Sequence, residues 1–300
     1  GWHKERVENF TALLEGRPVP VDLVDDGWTK TMFATMRQVG PGMTPSDMRD
    51  LMQLADFRMM NAVRARVDAI VQDKETAERL KPWYNRMCKR PCFHDAYLQT
   101  FNRPNVTLVD TEGYGVDEVT ETAVVVRGKS YELDCLIFAT GFELGALTRH
   151  QAFPIKGRGG HLLSEKWKDG ATTLHGMQVS GFPNFFLQGT TQSAWGANFV
   201  HMLGIQAEHI AHILGEVRSR GRTVVEATPA AEAAWVGVHE SYGERMKNTW
   251  SECTPGFFNN EGDYSQIVVR NGGFGGGVTM LSEMLKAWRD DGRLEGLTLS

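Results

Sequence analysis

The sequence predicts a mixed α/β protein, and three stretches predict it. Residues up to about Lys81 carry apolar side chains at helical spacing. Residues 105–138 hold three runs rich in β-branched side chains. Residues 183–219 read as a short strand, a glycine, a polar loop and a long helix. The chain has 300 residues, 41% hydrophobic and 23% charged, which is enough for one large core or two modest ones.

Each element has a local reason. Thr44, followed by Pro45 and Ser46-Asp47, is an N-cap with proline in the first turn. Met48, Leu51, Met52, Ala55, Met59, Val63, Val67 and Ile70 then recur with a helical period. Pro82 ends the next helical piece. Asn105–Asp110 (NVTLVD), Thr122–Arg127 (TAVVVR) and Tyr131–Phe138 (YELDCLIF) are strand candidates, spaced as in a β-meander. Pro183-Asn184 introduces a further strand at Phe185–Leu187, which Gly189 closes. A helix from about Asn198 to Ser219 puts Phe199, Met202, Leu203, Ile210, Ile213, Leu214 and Val217 on one face, and Gly221 terminates it. The glycine run Gly272–Gly277 precedes a helix at Val278–Trp288. Its spacing is not G-x-G-x-x-G, so it reads as a flexible C-terminal loop and not as a phosphate site.

Several functions are disfavoured. A net charge of -5 argues against a nucleic-acid partner. No apolar run reaches the ~18 to 20 residues that span a bilayer, and no signal peptide is recognisable, so no membrane partner and a cytoplasmic location are expected. Cys88, Cys92, Cys135 and Cys253 show no framework spacing and are expected to be reduced thiols. His201, Glu208 and His212 fall opposite the apolar stripe of their helix, with His209 on the flank. A solvated face is expected there, and no metal. His94-Asp95 are neighbours that do not face one point, and Ser193 lacks a G-x-S-x-G elbow.

Three segments could carry chemistry. In Cys88-Lys89-Arg90-Pro91, the proline extends the chain before it, sending the two cations to opposite sides. Lysine suits a phosphate and arginine a delocalised anion, although a bare Lys-Arg pair is ordinarily just solvated. Asp134–Phe142 is an apolar strand ending in Ala139-Thr140-Gly141, where small residues admit a cofactor or simply form a turn. Pro183–Thr191 followed by a helix N-terminus favours an anion or a flavin carbonyl there, against a plain β–loop–α connection.

In this order the three resemble flavoprotein monooxygenases. CKRPCFHDAYLQTFNRPNVTLVDT at Cys88–Thr111, YELDCLIFATGFE at Tyr131–Glu143 and SGFPNFFLQGTTQSAWGANFVHML at Ser180–Leu203 resemble Baeyer–Villiger monooxygenases, and most the branch acting on large cyclic ketones and steroids. The likeness runs through essentially the whole chain, including GWHKERVENFTALLEG at the start. It implies an α/β fold of the Rossmann-like type with two dinucleotide-binding domains, of which this chain would hold part. Residues 1–81 would be a helical insertion of the NADP domain, 82–143 its second half with the β-meander, and 144–300 the second half of the FAD domain with a C-terminal loop. It implies FAD and NADP as cofactors, a ketone and O2 as substrates, and an ester or lactone product formed through a flavin peroxide. Arg90 matches the catalytic arginine that holds this peroxide. Lys89 matches the contact to the NADP 2′-phosphate. Trp250 matches a tryptophan of a mobile loop against the nicotinamide. Asn198 and Phe199 would line the flavin, and Gln192, Ser193, Ala194 and Trp195 the substrate pocket. Thr140 and Gly141 lie at the crossing between the domains. The family's two G-x-G-x-x-G fingerprints are absent from this sequence, so a missing N-terminal half is an expected partner. The competing readings are an N- or S-oxygenating flavin monooxygenase and an inactive fragment needing that half.

Overall fold

Thr44 opens the longest helix as its sequence requires. In the computed structural model, Thr44 N donates to Asp47 Oδ2 at 2.7 Å, and Asp47 N donates to Thr44 Oγ1 at 3.2 Å. This reciprocal box satisfies donors that a helix start leaves unpaired. The structure describes every residue except 28, 87, 142–152, 194, 195, 197, 252, 263 and 264; side chains at 45, 244–250, 257, 258, 260, 266 and 268 are not described. Two compact units result: Gly1–Ala55 with Leu144–Ser300, and Asp56–Glu143.

The smaller unit begins within α3 (Pro45–Ile70) and adds α4 (Lys74–Leu80) and α5 (Tyr97–Thr100). Val67, Val71 and Ala77 form its buried cluster, with Leu80, Leu98 and Phe101 packed on it. Asn102 locks the C-terminal end of α3: its Nδ2 donates to Ile70 O at 2.7 Å, and Gln72 N donates to its Oδ1 at 2.9 Å. The meander is present as β1 (Glu118–Val119), β2 (Ala123–Val126) and β3 (Lys129–Glu132), all antiparallel, with Val124 opposite Tyr131. Arg127 and Gly128 both have positive φ, 53° and 73°, which is the two-residue turn that matches strand twist.

Two expected strands are shorter or absent. Asn105–Asp110 has no ladder among the described residues, and β3 stops at Glu132 instead of continuing to Phe138. The apolar pattern at 133–138 is real, but a strand needs a neighbour to take its N–H and C=O groups. Leu136, Ile137 and Phe138 are instead exposed, Ile137 at 82% and Phe138 at 75%.

The larger unit contains α1 (Trp2–Leu14), α2 (Lys30–Met36), the start of α3, α6 (Leu163–Lys166), α7 (Phe199–Ser219), β4 (Val225–Ala227), α8 (Pro229–Ser251), α9 (Gln266–Asn271), α10 (Gly277–Asp291) and β5 (Leu297–Leu299). β4 and β5 pair antiparallel, Val225 opposite Leu299. The main core gathers Leu174, Met177, Met202, Ala227, Trp235, Phe274, Val278, Leu281 and Leu285. Each large side chain so buried contributes roughly 1.5–3 kcal/mol. A second core holds Leu163, Trp167, Val179, Phe182 and Leu187. Phe185–Leu187 amounts to a single bridge between Gln178 and Phe186 instead of a strand.

The glycine run at 272–277 is a folded turn, correcting the expectation of a flexible loop. Phe274 within it is 2% exposed, and a Cβ on Gly276 would lie 2.5 Å from the Phe274 ring. The run is glycine-rich because a buried ring sits against its backbone. Cys92 and Cys135 are free and exposed. No helix among the described residues is long and apolar enough to cross a membrane.

Candidate functional site

The loop joining Phe186 to α7 is held by two buried glutamines. Gln192 has φ of 52° and is fully buried. Its Oε1 accepts from Thr173 N at 3.1 Å and Thr173 Oγ1 at 2.7 Å, and its Nε2 donates to Ala171 O at 2.6 Å. Its backbone N–H donates to Gly272 O at 2.8 Å, and its carbonyl accepts from Trp235 Nε1 at 3.2 Å. Ser193 is also fully buried, and its carbonyl accepts from Phe274 N at 2.7 Å. The Gln192 and Ser193 side chains therefore face the protein interior. Ala194 and Trp195 lie outside the described residues.

The second glutamine, Gln206, comes from α7. The buried residues of α7 are Met202, Gln206, His209, Ile213 and Val217, a helical 4-3-4-4 spacing that includes two polar groups. His209, expected on the flank, is in the core. Phe199 and Leu214, expected on the apolar face, are each 48% exposed. Asn198 caps α7, accepting from His201 N at 3.0 Å. Phe199 follows it, presenting an open aromatic face at the helix N-terminus.

His209 packs beside His175 with ring nitrogens 3.4 Å apart, between Trp235 and Trp288. Burial lowers the His175 pKa to about 4 and that of His209 to about 2, with His175, Arg289 and His212 adding repulsion at His209. Both imidazoles are therefore neutral near pH 7.

In the smaller unit, α3 holds the chain that leads to the cation pair. Arg86 N donates to Asp56 Oδ1 at 3.0 Å, and Arg64 Nη1 donates to Pro82 O at 2.8 Å while stacking 4.5 Å from the Trp83 ring centroid. Burial raises the Asp56 pKa and lowers that of Arg86. Beyond this clamp Lys89 is half-buried and Arg90 exposed. Thr140 and Gly141 belong to the same unit and are exposed, with Gly141 at φ of 85°. Gln192, Ser193, Asn198, Phe199 and Trp250 belong to the other unit. Trp250 lies in the last turn of α8, where a loop is expected from the resemblance; its side chain is outside the described set.

Comparison with known proteins shows what the chain is similar to. No family model matches. The chain is 47% identical over 305 residues to neopentalenolactone D synthase of Streptomyces avermitilis, covering 100% of this chain and 51% of that protein. It is 44% identical over 311 residues to a Baeyer–Villiger monooxygenase of Stachybotrys chlorohalonatus, covering 100% and 49%. Its fold matches the polycyclic ketone monooxygenase of the thermophilic fungus Thermothelomyces thermophila at TM-score 0.88 and 36% identity, over 100% of this chain and 50% of that one. Over its whole length the chain is similar to Baeyer–Villiger monooxygenases. It spans about half the length of the curated relatives it matches, corresponding to their C-terminal part. A steroid monooxygenase structure bound to NADP also matches, at TM-score 0.71 and 25% identity, over 99% of this chain and 58% of that one. The mixed helix-and-sheet architecture is accordingly that of part of this flavoprotein, Rossmann-type fold.

The motifs at Cys88–Thr111 and Ser180–Leu203 led to this family, but they do not point to Gln206 or His209. The one signal available was positional: both fall in the 202–217 buried stripe, at spacings that polar residues rarely occupy without partners.

Proposed function

We propose that this chain forms part of an enzyme that inserts one oxygen atom of O2 beside a ketone carbonyl, giving an ester or lactone. The observation that carries this reading is the match of the whole chain to a ketone monooxygenase at TM-score 0.88. FAD, with NADPH as reductant, would supply the activation of O2.

The donor set fits both cofactors. Half-buried Lys89 offers a compact cation for the 2′-phosphate of NADP. Thr140 and Gly141 are exposed, and a glycine there lets backbone approach a cofactor closely. Asn198 keeps the positive end of α7 in place, and the open ring of Phe199 offers an apolar face to a flavin. Trp250 would contact the nicotinamide through its indole. Arg90 would hold, through its planar guanidinium, the negative oxygen that develops during insertion. The loop Gln192, Ser193, Ala194 and Trp195 would border the ketone, Gln192 and Ser193 through their backbone, because both side chains are buried inward. The domain boundaries at 81 and 143 belong to the same reading. So does the partner, an N-terminal half bearing the glycine fingerprints. The bare apolar run Leu136, Ile137 and Phe138 supports such a neighbour, since a lone strand leaves it without a ladder.

The test joins this chain to such an N-terminal half and supplies FAD, NADPH and a panel of ketones. The expected product is the ketone plus one oxygen, detected by mass. Arg90→Ala should lower its formation about 10²–10³-fold, with flavin content unchanged. A normal lactone rate in Arg90→Ala would refute the role of Arg90. Oxygenated amines or sulfides without lactone would favour the N- or S-oxygenating reading. Visible flavin absorbance retained by this chain alone would overturn its dependence on the other half.

A further inference from the structure

We propose that Gln206 is a positioning residue for the ketone-bordering loop, a role that rests on the monooxygenase reading above. Gln206 is fully buried in the apolar stripe of α7, where a leucine would pack with no polar cost. Its carboxamide is instead fully used. Nε2 donates to Gly189 O at 2.7 Å and to Ser193 Oγ at 2.5 Å, while Oε1 accepts from Gly189 N at 3.0 Å. The amide thus pairs with both backbone groups of one residue, as a neighbouring strand would.

The consequence lies in the geometry of the loop. Asn198, at the start of α7, holds its far end through the cap to His201 N. Gln206, further along the same helix, holds its near end at Gly189 and Ser193. The two anchors are eight positions apart, roughly 12 Å along a rigid rod. Gln192 fastens the near end again, to Ala171, Thr173 and Gly272. Gly189, Gln192 and Ser193 are therefore held on one side and Asn198 on the other. A loop that borders substrate needs such support, because loose backbone loses binding geometry.

The experiment uses the flavin-loaded enzyme carrying this chain and its N-terminal half. Gln206→Leu should raise the ketone KM roughly tenfold, the equivalent of about 1.4 kcal/mol and within the cost of unpaired, partly buried backbone groups. Flavin reduction by NADPH should proceed at the wild-type rate, and hydrogen exchange at 189–193 should accelerate. If Gln206→Leu does not retain flavin, Ser193→Ala, which removes only the hydroxyl acceptor, decides by the same criteria with a smaller KM rise. An unchanged ketone KM, or slowed flavin reduction, in the deciding variant overturns the proposal. Lactone formation that survives Arg90→Ala would count against the monooxygenase reading itself. Dependence on Arg90 with an unchanged KM would count against Gln206 alone.

Discussion

Gly176 shows how tightly the loop is packed at the level of a single atom. Its φ is 74°, and a Cβ there would lie 2.7 Å from Ser193 Cβ and 2.9 Å from the Gln192 carbonyl group. These neighbours are backbone and a buried side chain fixed by hydrogen bonds, so they cannot move aside cheaply. Gly176→Ala should destabilise the larger unit by roughly 2–4 kcal/mol, combining left-handed backbone strain with overpacking. Gly181 has a similar φ of 85° but no atom within 4 Å of its Cβ position. Gly181→Ala should therefore cost only the backbone strain, about 1–2 kcal/mol. Urea titration of both variants isolates the clash. Equal losses would show that residues 192 and 193 can give way, which would weaken the case for a rigid loop.

At the scale of elements, the N-terminus of α7 combines a structural and a functional claim. Asn198→Ala should lose about 1 kcal/mol of stability by removing the cap on His201 N, whereas Asn198→Asp should keep it and complement the helix dipole. If thermal melts of the two variants coincide, the cap is not what holds this end of the loop. The helix itself was legible from its period and from Gly221, which has φ of 63° and precedes an Arg222 N–H bond to Val217 O at 2.9 Å. The meander was legible because β2 and β3 are joined by a local turn. Residues 133–138 were misread in extent, because periodicity reports which residues want burial and not whether a partner strand is at hand. Gln206 and His209 were not legible for the opposite reason: residue type signals exposure, and only the folded neighbours reveal that each has been taken inside. The cation pair Lys89-Arg90 is singled out by its motif alone, while the α3 clamp from Asp56 and Arg64 depends on contacts more than 15 residues away in sequence.

Across the whole molecule, the buried imidazole pair predicts how stability responds to acid. His175 and His209 are held neutral with pKa values of about 4 and about 2, against 6.5 for an unperturbed histidine. As pH falls below 6.5 the unfolded chain takes up protons that the folded chain refuses. The stabilisation is therefore complete above pH 6.5 and is lost as pH falls towards 4 for His175, and further still for His209. Each histidine can remove up to about 1.4 kcal/mol per pH unit in that window. The surroundings cannot absorb the charge. Trp235 and Trp288 crowd the pair, His212 and Arg289 add positive repulsion at His209, and Glu208 is ion-paired to Arg289 at 2.9 Å. The orphaned Nδ1 of His209 gives a new proton no acceptor among the described residues. His209→Gln keeps a polar side chain but removes one titration. Its urea midpoint should fall less steeply than that of the parent between pH 6.5 and 4, after both share the same loss from carboxylates. Parallel curves for the two proteins would mean that the pair is solvated on the folding timescale, and that its burial contributes nothing to acid sensitivity.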